Sequence, residues 1–168
     1  HDVRFGNLET ALLEVNEGTP ALFPGGGYAM AEPDCLDDLM GLGFNLLNAA
    51  TNHAMDYGES GCLRTIEILR EKGVAFAGIG EDLEHASAPA YLRVGNKTVA
   101  LISVTSSFHD SYAAGPSNID VRGRPGVSPL RHKAVYSLPA DKMLQLQEIA
   151  RVTGINSYHD MARKFGYL

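Results

Sequence analysis

Short apolar runs alternate with stretches of helical periodicity along the first half of the chain. "VRF" (Val3–Phe5) reads as a strand, followed by a Pro/Gly-rich loop that contains "FPGGGYAM". From Pro33 to Gly43, Leu36, Leu39 and Met40 recur on one face of a predicted helix, which Gly41 and Gly43 terminate. "FNLLNAA" (Phe44–Ala50) is a buried strand. A polar loop and a helix from about Glu59 to Lys72 follow, with Cys62, Ile66 and Leu69 at helical spacing before Gly73. "VAFAGIG" (Val74–Gly80) is the next strand. Parallel neighbours need crossover connections, so this succession predicts an α/β fold. "AYLRVG" and "KTVALISVTS" flank the turn "GNK" and predict a hairpin that joins the sheet and makes it mixed. From His109 to Ser137 no period is sustained, and the stretch is expected to be an excursion outside the core. Helices are predicted at Ala140–Arg151 and Ser157–Lys164. No internal repeat interrupts a single domain over residues 1–168.

Charge and composition narrow the classes. The chain has a net charge of −6 and no Lys/Arg stripe with interleaved aromatics, which argues against nucleic acid as a partner. No apolar segment reaches the roughly 18–20 residues of a membrane-spanning helix. Cys35 and Cys62 lack CxxC spacing and are expected to be inert, partly buried thiols.

Ligands of open α/β sheets collect at the carboxyl ends of the strands, and two polar clusters fall there. In "GNLE", Asn7 and Glu9 lie two apart and share a side if strand geometry persists. In "NAATNHAMDYGESG" (Asn48–Gly61), Asn52 and His53 are adjacent and Asp56 follows. A carboxylate, an amide oxygen and an imidazole suit an oxygen- and nitrogen-liganded metal, and Asp56 is placed to accept the His53 ring N–H and fix its tautomer. The same residues also suit a turn in which Asn and Asp satisfy loose backbone N–H groups and Asp56 or Glu59 caps the next helix. Spacing leaves both readings open.

"GNLE", "TNHAMDYGESG", Thr65 and "GVAFAGIG", in this order and spacing, resemble the CapA family of capsule and poly-γ-glutamate synthesis proteins, part of the calcineurin-like metallophosphoesterase superfamily. The resemblance covers Asp2 to about Ser107. "RGRPGVSPLR" (Arg122–Arg131) is similar to an insertion of some members. The resemblance implies an α/β sandwich with a binuclear centre of divalent ions (Mn, Fe, Zn or Mg, not distinguished). In it, Glu9 and Asn52 are metal ligands, His53 faces the substrate as general acid or electrostatic stabiliser, and Asn7 and Asp56 support them. It also implies a cell-envelope setting, a phosphoester or cell-surface polymer as substrate, and other capsule-synthesis proteins as partners. The family's upstream "GD" strand and downstream His-rich motifs have no match, so the chain is expected to be an N-terminal-half fragment that is inactive by itself. The alternative is a non-catalytic scaffold that binds a polyanion through Arg122 and Arg124, with Arg131, His132 and Lys133 nearby, because arginine forks suit carboxylates.

Three further features rank lower. "PGGGYA" (Pro24–Ala29) lacks the Lys-Ser/Thr of a phosphate loop and is expected to be a flexible loop near the site. His109 in "FHD" falls at a strand end, where it either enters the cleft or is a hydrogen-bonded loop histidine. Ser103, Thr105 and Ser106 lack a nucleophile elbow.

Overall fold

The computed structural model describes residues 2–133 and 135–155. The chain forms two compact units, residues 1–132 and 133–168. The first is α/β. Its centre is a parallel sheet in which β4 (Leu46–Asn48) lies between β1 (Phe5–Asn7) and β5 (Ala75–Ala77). A central parallel strand is covered on both faces, and Leu46 and Leu47 are accordingly both buried.

Both crossover helices end in the same way. After α1 (Asp34–Gly41), the N–H of Gly43 donates to Met40 and that of Phe44 to Leu39. After α2 (Gly58–Glu71), Gly73 donates to Arg70 and Val74 to Leu69. These are Schellman closures with the glycines at φ +91° and +70°, and each delivers the chain directly into the next strand. Gly43 and Gly73 are the stops the sequence announces, whereas Gly41 is still helical. The buried face of α2 carries Cys62, Thr65, Ile66, Ile68 and Leu69 into a core that also gathers Leu8, Leu12, Leu36, Leu47 and Val127.

Several expectations change in detail. The first strand lies two residues later than "VRF", at β1. "VAFAGIG" is not one strand: Gly78, at φ +108°, separates β5 from β6 (Ile79–Gly80), and a Cβ there would meet Ala50 Cβ at 2.5 Å. The hairpin forms as β7 (Ala90–Val94) and β8 (Lys97–Leu101), with Val94 paired to Lys97, but it is a sheet of its own rather than an extension of the central one. The short parallel pair β2 (Ala11–Leu12) and β3 (Met30–Ala31), and α3 (Leu83–Ser87), had no sequence signal.

The stretch after His109 is irregular, but it is not wholly outside the core. Its β9 (Gly126–Val127) pairs antiparallel with β6, and Val127, Ser128, Ala113 and Ala114 are buried. Gly123 and Gly126 permit this insertion, since Cβ atoms on them would meet Asp82 Cβ and Tyr112 O, both at 2.3 Å. Cys62 is fully buried, and burial, assisted by Glu59, pushes its thiol up to about 12; Cys35 is exposed rather than partly buried.

The second unit holds α4 (Ala140–Thr153), where a helix is predicted, closed by Gly154 at φ +65°. The helix expected at Ser157–Lys164 lies outside the described residues. No helix among the described residues is long and apolar enough to cross a membrane.

Candidate functional site

The parallel register of β1 and β4 sets Asn7 opposite Asn48, so both polar clusters leave the sheet at one carboxyl edge. Asn48 Nδ2 donates to Asn7 Oδ1 at 2.5 Å, and Asn7 Nδ2 donates to Glu9 Oε2 at 2.9 Å. Asn48 Oδ1 accepts the N–H of Ala50 at 3.0 Å. A chain of amides therefore runs from the end of the central strand to the Glu9 carboxylate and orients it.

Beyond Ala50 the loop is held by Asp56, whose relative exposure is 0%. Its Oδ1 accepts the Gly25 N–H at 2.7 Å. Its Oδ2 accepts the Ala29 N–H at 2.8 Å and faces His53 Nδ1 at 2.7 Å. A buried carboxylate that already accepts two backbone N–H groups also accepts the His53 Nδ1–H, which leaves the lone pair of the neutral ring on Nε2. Asp56 does not cap α2: the N-cap is Tyr57, whose side chain makes no capping hydrogen bond.

Asn52 is fixed from the other side. Its Nδ2 donates to the Gly25 carbonyl at 2.7 Å, which turns Oδ1 away and leaves it open as an acceptor. Gly25 is thus gripped through both its N–H and its carbonyl, and a Cβ on it would meet the Asn52 carbonyl oxygen at 2.2 Å. The "PGGGYA" loop is fastened to the site loop at Gly25 and Ala29. Thr51 Oγ1, buried beside Asn52, has no hydrogen-bond partner among the described residues. The structure also explains Thr65: its hydroxyl accepts the Leu12 N–H at 2.9 Å and donates to Gly61 O at 2.9 Å, tying β2 to α2.

Arg122 and Arg124 are engaged elsewhere. Arg124 Nε and Nη2 both donate to the Ala113 carbonyl, at 3.1 and 2.9 Å. Arg122 lines a cleft of about 840 Å³ together with Arg64 and Arg70 and with Glu17, Glu67, Glu71 and Glu81. Neither is brought to the Asn52 edge by any contact among the described residues.

Sequence reasoning passed over Asn48, Gly25 and the N–H of Ala29. Asn48 carried a signal, an amide ending a buried apolar run, whereas the grip on Gly25 joins segments 27 and 31 positions apart and has no local signature.

The α/β fold is what the sequence resemblance implies for a capsule-synthesis protein. The chain belongs to that family: residues 1–159 match the family model described as "Bacterial capsule synthesis protein PGA_cap". It is 37% identical over 151 residues to each of two Sinorhizobium fredii (strain NBRC 101917 / NGR234) proteins, "Uncharacterized protein y4sH" and "Uncharacterized protein y4uA". Each alignment covers 88% of this chain and 32% of the relative. It is 34% identical over 84 residues to "Capsule biosynthesis protein CapA" of Bacillus anthracis, which covers 50% of this chain and 19% of that protein. The chain thus spans about a third, or less, of the length of these relatives.

Proposed function

We propose that this chain supplies one side of a metallophosphoesterase-type centre for divalent ions in a capsule-synthesis protein, acting on a phosphoester or a cell-surface polymer. One observation carries the reading: at a single strand edge, Asn52 and His53 each have one polar atom committed and one without a partner among the described residues. The donor chemistry fits. Asn52 Oδ1 and the Glu9 carboxylate suit a divalent ion as oxygen ligands, and the His53 Nε2 is kept for proton transfer. The orphaned Thr51 hydroxyl marks the same loop as a place where a buried polar atom awaits a partner.

When bound, such ions stabilise negative charge developing on phosphoryl oxygens. The chain's own residues prepare that step. The amide chain from Asn48 through Asn7 holds Glu9, and the Gly25 carbonyl holds Asn52. Asp56 holds the His53 tautomer, so that Nε2 accepts a proton or, once protonated, passes it to a leaving-group oxygen. Among the described residues no three His, Cys, Asp or Glu side chains group closely enough to hold a metal ion, so this reading draws further ligands from outside them.

The test is the metal content of the intact protein. Glu9→Ala and Asn52→Ala are each expected to lower it about tenfold or more, in line with the loss of a ligand or of its support. An intact protein that carries no metal, and whose activity both variants leave unchanged, sinks the proposal. Residues 1–168 alone are expected to leave phosphoesters intact; metal-dependent turnover by them that disappears in His53→Ala contradicts that expectation. The scaffold alternative has less support, because Arg124 is spent on a backbone carbonyl and Arg122 shares its cleft with four glutamates.

A further inference from the structure

His109 has no part in the proposed centre, yet it is fixed more firmly than an exposed loop histidine requires. Its ring stacks on Phe23, with centroids 4.1 Å apart and planes inclined by 7°, and Tyr112 flanks it at 5.8 Å. Tyr112 Oη accepts the backbone N–H of Phe23 at 3.0 Å, so the two segments are tied together. They wall a cleft of about 260 Å³ that Asn52 and Gly25 also line. The Ser111 N–H donates to His109 Nδ1 at 3.3 Å, and Ser111 Oγ lies 2.7 Å from the same atom. An Nδ1 that accepts leaves the ring proton on Nε2. This is the opposite polarity to His53, whose Nδ1 faces Asp56 and whose Nε2 carries the lone pair.

We propose that His109 is an anion-contact residue of the site: its Nε2–H donates to an oxyanion, phosphoryl or carboxylate, held in the cleft beside Asn52. Among the described residues no carboxylate side chain lines this cleft; Asp110 instead lines the adjacent one, together with Arg131. Among the described lining residues, His109 is the side chain with a ring N–H to offer an anion, and none is a carboxylate. The volume admits one phosphoryl or carboxylate group with its nearest substituents. The inference rests on reading the Asn52 edge as the reacting site, but not on a metal being bound there.

Long-range ¹H–¹⁵N correlation of the histidine rings in the intact protein, titrated separately with inorganic phosphate and with glutarate, tests it. His109 is expected to show the Nε2–H pattern before titration and to shift when anion is added. A response to phosphate alone identifies the phosphoryl class, and a response to glutarate alone the carboxylate class. His109→Ala is expected to weaken anion binding about tenfold, as for a lost hydrogen bond to a charged group, while metal content stays unchanged. His109→Gln, which keeps an N–H donor, recovers part of the loss. An Nδ1–H pattern, or anion affinity that His109→Ala leaves unchanged, overturns the assignment. Metal bound at Asn52 with His109 silent to anions fails this inference alone; anion binding through His109 with no metal fails the metal-centre reading alone.

Discussion

The strand-end loop and the cleft along α2 are both rich in polar side chains and use them in opposite ways. In the loop, the Asp56 carboxylate is buried and bonded to the Gly25 and Ala29 N–H groups and to His53. His53 thereby acquires one orientation and keeps Nε2 for other chemistry, while Gly25 is tied through both its N–H and its carbonyl. In the cleft, Arg64 lies 3.1 Å from Glu17 and 2.7 Å from Glu67, and Arg70 pairs with Glu81. Those charges neutralise one another at the surface and leave little to offer a ligand. Polar residues mark a site when their bonds are satisfied asymmetrically, and charge density by itself does not.

The sharpest way to break this contrast is Asp56→Ala. Three donors lose their acceptor in a buried place, and a loss of about 3–5 kcal/mol is expected, read as a lower denaturant midpoint at constant slope. A loss below about 1 kcal/mol would show that the loop does not depend on this carboxylate. Next in size is Gly25→Ala, expected to cost about 1–3 kcal/mol because its Cβ meets backbone at 2.2 Å. Gly27→Ala, with nothing within 4 Å, is the matched control and is expected to be near neutral. Equal effects of the two would remove the argument that the glycine loop is fastened at Gly25. Smallest is Arg70→Ala in the other region, expected to change stability by about 0.5 kcal/mol or less, as for exposed ion pairs. A loss as large as that of Gly25→Ala would erase the distinction between the regions.

A pH experiment sharpens the picture at α3. The His85 backbone N–H, then the His85 ring and Ser117, hold the Asp82 carboxyl below its ordinary value. A depressed carboxylate binds its proton more readily when unfolded. Its contribution is therefore present above the unfolded value of about 3.9 and is lost as pH falls through the lower folded one. Asp82→Asn keeps a capping oxygen and is expected to flatten the acid limb of the stability profile. An unchanged acid limb would mean that other groups set it.

Much of the fold was legible because its signals are local. Gly43 and Gly73 announce the helix stops, the largely apolar run "FNLL" leads into the central strand, and Gly95–Asn96 fixes the hairpin. What was not legible depends on contacts between distant segments. Gly78 divides an apparently continuous strand because Ala50 presses against it, and Val127 joins the core through pairing with β6 rather than through any period of its own. At the site, the pairing of His53 with Asp56 could be read from their spacing. The grip on Gly25, the relay through Asn48 and the diversion of Arg124 to Ala113 could not, since each joins residues 11 or more positions apart.

The central proposal is that Asn52 and Glu9 hold a metal ion and that His53 faces the substrate beside it. Titrating the intact ¹⁵N-labelled protein with Mn²⁺ tests it directly, because paramagnetic broadening reports proximity to the ion. Selective loss of the Asn52 side-chain amide, His53 ring and Glu9 backbone signals at low Mn²⁺, with the signals of Arg122 and its glutamate neighbours retained, is the predicted result. Broadening that begins among Glu17, Glu67, Glu71 and Glu81 while Asn52 and His53 stay sharp would contradict the account.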